Sequence, residues 1–266
     1  MLIATHAIHG TLAYPFTPVT WQQVTDSSFG LSNINAINFS SILNRYVMVG
    51  NTGKLATSSD TQTWVQRSSL FDESNIYSIY YGNNLYVIGG SSGKLATSVD
   101  GINWTLRASS FGASTILGIT YSTSASLWIA VGGSGKLATS VDGINWTQRT
   151  SSFGTSIINA VTATPAGGRF IAVGESGKIA NSTNGTVWTQ VFPISSFGSI
   201  SVRAVSVSED GTYLAAGATG KLATSFDGIG WLQRTSSFGT LNINGVYNDN
   251  DTALAVGSSG KIAYSV

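Results

Sequence analysis

Apolar and polar residues along this chain fall into short alternating runs punctuated by glycine. Leu127, Ile129 and Val131 alternate with Trp128 and Ala130, so a strand here is apolar on both faces and has neighbours on both sides. Upstream, Ile116, Ile119 and Tyr121 give β propensity to a strand over about Thr115 to Tyr121. Gly132-Gly133-Ser134-Gly135 then turns the chain, and Lys136 to Ser140 forms a third strand. Asp142-Gly143 opens a tight turn into a fourth strand over about Asn145 to Arg149. These four strands are called A, B, C and D. The gaps between periodic apolar positions are too short and too rich in Gly, Ser and Asn for helix.

The pattern repeats. Tryptophans stand at 21, 64, 104, 146, 188 and 231, separated by 43, 40, 42, 42 and 43 residues. Strand C recurs near Thr11, Lys54, Lys94, Lys136, Lys178, Lys221 and Lys261, and strand A near Asn35, Ile76, Ile116, Ile157, Val202 and Ile243. A period of about 42 residues built from four short strands belongs to the propeller class. The expected fold is all-β: a single β-propeller of four-stranded antiparallel blades over residues 1–266, with strand A nearest the axis. Residues 14–266 hold six periods, which favours six blades. Residues 1–13 are surplus, but Leu2-Ile3-Ala4 and Gly10-Thr11-Leu12-Ala13 resemble strands B and C, so seven blades are the alternative. The strand around Trp21 is placed to supply strand D for the last A-B-C set, closing the ring without a free sheet edge.

The C–D turn has its own signature. Ser98-Val99-Asp100-Gly101-Ile102-Asn103-Trp104 returns as Ser140 to Trp146 and, with changes, Ser225 to Trp231. The turn acids are Asp60, Asp100, Asp142 and Asp227, with Asn184 in the equivalent place of the fourth unit. Such a side chain accepts backbone N–H groups across the turn. The tryptophan fills the space between blades and needs a partner for its N–H. This pattern resembles the Asp-box, or BNR, repeats of bacterial and phage β-propellers, including sialidase-like and photosystem-assembly-factor-like families. Their usual form spaces the Ser-x-Asp and the Trp one residue farther apart. The resemblance covers nearly the whole chain and implies a propeller with Asp-box turns. It implies no ligand, since many functions share the repeat.

Catalysis is not expected. Arg67, Arg107, Arg149 and Arg234 occupy one repeated place near strand D, whereas a sialidase gathers arginines from different positions into one pocket. Glu73, Glu175 and Glu209 read as surface acids, and no pair takes general-acid and general-base roles. His6 and His9 lack a further ligand nearby, so no metal or cofactor is expected. Gly-Ser-Ser-Gly-Lys invites comparison with a phosphate loop, but a strand follows it where that motif requires a helix.

Two repeated elements remain as candidates for binding. Phe29, Phe111, Phe153, Phe197 and Phe238 each follow a serine pair on the D–A crossing. They either pack beneath the crossing or stack on the apolar face of a sugar. Lys54, Lys94, Lys136, Lys178, Lys221 and Lys261 are all the lysines of the chain and follow the B–C turns. In a propeller these turns share a face with the D–A crossings, so the lysines form a ring. They either cap carbonyls locally or meet an acidic glycan or protein surface. Near-identical repeats give near-identical environments and suit multivalent attachment.

Composition narrows the partners. Charged residues are 9% of the chain, against roughly 25% in ordinary proteins, and the net charge is +1. A nucleic-acid partner would favour a larger basic excess. There is no cysteine, which excludes disulfides and thiolate metal sites. No signal peptide or membrane span is seen. The expected function is a non-catalytic surface-binding propeller, lectin-like and multivalent for carbohydrate. The alternative is a phage or virion structural or adhesion component, or a protein-interaction scaffold, with a homo-oligomer or virion assembly as partner. An extracellular or virion-associated place is favoured.

Overall fold

The computed structural model describes residues 4–5, 22–165, 168–191, 196–250 and 252–265. Trp21, His6, His9 and the two strand-like pieces before residue 14 lie outside the described residues, Ala4 excepted, as does the strand expected around Trp21. Six sheets form the ring, so six blades are present and the seven-blade alternative is set aside. Blade 1 contains β2 (Ile34–Ser40), β3 (Arg45–Gly50), β4 (Leu55–Ser58) and β5 (Val65–Arg67). Blade 2 contains β6 (Ile76–Gly82), β7 (Leu85–Gly90), β8 (Leu95–Ser98) and β9 (Thr105–Arg107). Blade 3 follows with β10 (Ile116–Ser122), β11 (Leu127–Gly132), β12 (Leu137–Ser140) and β13 (Thr147–Arg149). In blade 4 come β14 (Ile158–Ala163), β15 (Phe170–Gly174), β16 (Ile179–Ser182) and β17 (Thr189–Gln190). Blade 5 contains β18 (Val202–Val207), β19 (Tyr213–Gly217), β20 (Leu222–Ser225) and β21 (Leu232–Arg234). Blade 6 has three described strands, β22 (Ile243–Asn248), β23 (Ala253–Gly257) and β24 (Ile262–Ser265). A two-residue strand, β1 (Ala4–Thr5), pairs parallel with Ile37 and Asn38 along the axial edge of β2.

Blades adhere because strand B, and the first two residues of strand C, are apolar on both faces. In the seam between blades 1 and 2, Val47, Val49 and Leu55 meet Phe71, Ile76, Tyr86 and Trp104. Between blades 3 and 4, Ile129, Val131 and Leu137 meet Phe153, Ile158, Phe170 and Trp188. The five described indoles of the repeat, Trp64, Trp104, Trp146, Trp188 and Trp231, therefore work at radial seams, as their spacing predicted. Each Nε1 donates to the carbonyl three residues earlier in the C–D turn, at 2.9–3.3 Å in five blades. Each of these five rings thus fills a seam with its N–H paired.

The C–D turns are built on the expected carboxylates. Asp100 Oδ1 accepts the N–H of Ile102 and of Asn103, both at 2.8 Å, while Ser98 Oγ accepts the N–H of Gly101 at 2.8 Å. Asp142 and Asp227 repeat this, and Asn184 reproduces it with an uncharged oxygen at 2.9 Å. At Asp60 the N–H donors of Thr63 and then Gln62 hold the carboxyl down at about 2. Asp142 and Asp227 are lowered by the same kind of donor. Partial burial opposes the shift at Asp100, and the donors outweigh it.

A depressed carboxyl contributes stability in full above its unfolded value, about 3.9, and loses it as pH falls through the folded value. The protein is expected to weaken as pH drops from about 4 towards 2. Replacing Asp60, Asp100, Asp142 and Asp227 together by Asn should flatten that slope, as Asn184 shows that the turn accepts an amide. Urea midpoints at the two ends of the window check this; an unchanged slope would place the acid sensitivity elsewhere.

Candidate functional site

The B–C turns and D–A crossings lie on one face of the disc, as their order along the blade requires. They are locked to each other. The Ser69 hydroxyl of the crossing into blade 2 donates to the Gly53 carbonyl of the blade 1 turn at 2.6 Å, and Ser236 does the same to Gly220 at 2.6 Å. Gly135 shows how close the approach is. Its φ is +63°, and a Cβ there would stand 2.0 Å from the Gly154 carbonyl oxygen, so only glycine fits.

The phenylalanine candidates are corrected here. Phe29, Phe111, Phe153, Phe197 and Phe238 are each about 1% exposed. They pack beneath the crossings in the seams, with Phe153 against Ile129 and Ile158 and Phe238 against Ala216 and Ile243. A ring surrounded by other blades' side chains has no face to offer a sugar, so the stacking role is excluded.

The lysines do form a ring, and most of them are tied locally. Lys54, Lys136 and Lys178 donate from Nζ to the carbonyls of Phe29, Phe111 and Phe153 at 2.7, 2.7 and 2.8 Å. Lys94 reaches Phe71 O at 2.9 Å and pairs with Asp72 at 3.0 Å. Lys221 contacts Gln233 Oε1 and Lys261 the Ser237 carbonyl, both at 3.3 Å. Each phenylalanine carbonyl also accepts a turn N–H three residues on. In four blades the ammonium supplies the second donor to an oxygen that the crossing holds away from solvent. Their charge still contributes to the field of this face.

The feature that sequence reading did not find is at the axis. In every blade the pairing of strands A and B slips by one residue near the start of A. The residues skipped are Asn35, Tyr77, Leu117, Asn159, Arg203 and Asn244. A bulge turns its extra side chain away from the ladder, and these six surround an opening of about 590 Å³. Below it, strands A of all six blades line a channel of about 420 Å³ with residues such as Ile79, Gly118, Val161, Ala204 and Val246. The site is a polar mouth over an apolar throat. Near-identical repeats therefore do contain one non-equivalent environment, contrary to expectation. The bulged place varies in the sequence, but so do others of strand A, such as Asn38, Tyr80, Thr120, Thr162, Ser206 and Tyr247, so side-chain identity does not single it out.

The mouth is preset by hydrogen bonds between blades. Asn35 Nδ2 donates to the Ile76 carbonyl at 2.8 Å and to Asn51 Oδ1 at 2.9 Å. Asn159 Nδ2 donates to the Val202 carbonyl at 2.8 Å, and Arg203 Nη1 to Asn244 Oδ1 at 3.1 Å. Tyr77 Oη accepts from Asn75 Nδ2 at 3.0 Å. Glu175 is the one acid in the lining, and its carboxylate accepts the Ile157 N–H at 3.2 Å. The mouth can thus offer amide groups, one guanidinium, an aromatic edge and an apolar floor. Among the described residues, no group of three His, Cys, Asp or Glu could hold a metal, and no helix is long and apolar enough to cross a membrane.

Comparison with known proteins gives a fold without a function. The family described as the DUF6242 beta propeller domain matches residues 18–148. No curated protein matches the chain. YCF48 from Cyanidioschyzon merolae superposes with a TM-score of 0.66 at 19% identity, over 88% of this chain and 82% of that one. YCF48 bound to D1 peptide gives 0.65 at 20% identity, over 88% and 77%. Virginiamycin B lyase from Staphylococcus aureus gives 0.77 at 13% identity, over 88% and 80%. At such identities the likeness is one of architecture alone.

The two sets of residues should respond differently to truncation. Phe153→Ala is expected to cost about 3–5 kcal/mol, as a buried aromatic in a seam. Arg203→Ala, exposed at the mouth, should stay within about 0.5 kcal/mol. Denaturant midpoints of the two variants measure this, and equal losses would mean that the mouth is a structural element.

Proposed function

We propose that the protein is a non-enzymatic interaction propeller that holds a partner protein at the mouth of its axial channel. The observation that carries this reading is the ring of bulged residues: six equivalent places around one opening, filled by Asn, Tyr, Leu and Arg. Identical contacts in every blade would suit a symmetric or multivalent ligand. A ring with one cation, one aromatic and one aliphatic side chain favours an asymmetric ligand in one orientation. A polypeptide segment brings the matching mixture of amides, charge and apolar side chains. The likeness to a YCF48 structure with a D1 peptide bound supports a peptide ligand for such a fold, at the level of architecture.

Carbohydrate recognition is the weaker reading, because the aromatic platforms it needed are inside the core. An enzymatic role lacks support from the mouth, where Glu175 has no second acid or base beside it. Kinship with the Asp-box proteins belongs to the same reading and is supported by the Ser–Asp turns of blades 1, 2, 3 and 5. A structural role on a virion or cell exterior is compatible with it.

Selection from a random peptide display library, run beside a glycan array, tests the proposal. The expected result is a set of related peptides whose binding falls at least about tenfold in Tyr77→Ala and Arg203→Ala, and is unchanged in Val99→Ser on the opposite face. Reproducible glycan binding with no peptide enrichment would overturn it.

A further inference from the structure

The net charge of +1 conceals a separation. All six lysines stand at the B–C turns, Arg203 lies at the mouth, and Arg67, Arg107, Arg149 and Arg234 end strands D on the same side. The register places Arg149 opposite Leu137, one residue beyond Lys136. Of the described acids, only Asp26, Asp72, Glu73 and Glu175 share that side. The opposite side, of A–B and C–D turns, carries Asp60, Asp100, Asp142, Glu209, Asp210, Asp227 and Asp249, against Arg45 and Arg169 alone. Eleven cations therefore face one way with four acids, and seven acids face the other way with two cations.

Two more observations describe what the faces present. The four repeated arginines are each held through Nε by a strand C threonine, at 2.8–3.1 Å. Lys94 and Asp72 form an ion pair on the basic side. The acidic side carries large exposed apolar residues beside its carboxylates: Val99, Val141 and Phe226, at 68%, 72% and 79% exposure, each precede the turn aspartate. Leu31 and Leu70 are exposed on the basic side. These residues stand singly on separate blades, among the charges of each face.

We infer that the partner of the disc faces is a second copy of this chain, stacked head to tail, basic face on acidic face. The two faces are complementary to each other and each is repelled by itself, so face-to-face pairing of like sides is disfavoured. A contact between unlike faces is heterologous and repeats, giving short stacks rather than a closed dimer. The accessible surface is 12851 Å², so less than a tenth of it on each partner reaches the roughly 800 Å² of a standard interface. This goes beyond the peptide reading of the mouth, which concerns the axis and a foreign chain.

Sedimentation of the intact protein tests it. Mass should rise with concentration at about 10 mM salt, where charges act over about 30 Å, and return to the monomer near 1 M. Two charge variants separate the faces. Arg67→Glu, Arg107→Glu and Arg149→Glu together bring the basic side close to neutral, with eight cations against seven acids; Val99→Lys, Val141→Lys and Phe226→Lys together leave five cations against seven acids on the other side and remove its apolar anchors. Each should be monomeric alone, and a mixture should re-form mixed complexes through the acidic face of the first with the basic face of the second. Should the arginine-to-glutamate chain unfold, Arg→Gln at the same three places is used, with weakened stacking expected. A wild-type chain that stays monomeric at low salt, or stacking that survives in both variants, overturns the inference. So does binding of polyglutamate by a chain that does not stack, which would give the basic face to a foreign acidic partner. Tyr77→Ala should leave stacking unchanged, so failure here and failure at the mouth are read separately.

Discussion

Every blade must send its chain from the outer edge back to the axis, and that crossing is the constraint on which the fold depends. The returning segment runs under the neighbouring turn, where its carbonyls cannot all reach water. The chain answers with one repeated device. The phenylalanine ring drops into the seam and anchors the crossing by apolar contact. Its carbonyl takes a turn N–H and, in four blades, a lysine ammonium as well. The preceding serine hydroxyl closes on the neighbouring turn, and a glycine lets that turn come close. Lys136, Phe111, Ser151 and Gly135 are parts of such latches, and each loses its purpose without the others.

This explains which expectations held. The strand boundaries, the turn carboxylates and the seam position of the tryptophans follow from local chemistry that recurs, so repetition made them legible. Asp100 and Asn184 behave alike because both present an oxygen at the same place in the turn. The phenylalanines were harder. Ser-Ser-Phe-Gly is a polar, glycine-bearing segment that reads as surface loop, and only the burial of the crossing as a whole shows that Phe153 points inward. The lysines carried both meanings in the sequence, and the distance from Nζ to the phenylalanine carbonyl separates them.

The mouth was illegible for the opposite reason. A repeat search rewards positions that stay the same, and Asn35, Tyr77, Leu117, Asn159, Arg203 and Asn244 differ. Their common property is a backbone one, a bulge at the same step of every strand A, which side-chain identity does not reveal. Once the bulge is seen, the division of labour is clear. Positions that hold the blades together are fixed by the latch and the turn. The bulged position is excused from the ladder, and its side chain can turn to the mouth or, as Asn35 and Asn159 do, to a carbonyl of the next blade.

The same separation governs charge. A composition with 9% charged residues suggests a bland surface, and a sum near zero suggests little field. Neither follows once the connectivity of the blade is known, because strand direction assigns each repeated residue to a face. Lysine after the B–C turn and arginine at the end of strand D always emerge on one side; aspartate in the C–D turn always emerges on the other. Repetition multiplies that bias with every blade, and the sum over the whole chain cancels it from view. A repeat propeller can therefore be nearly neutral and strongly polar along its axis, with both properties set by the position of a few residues within one unit.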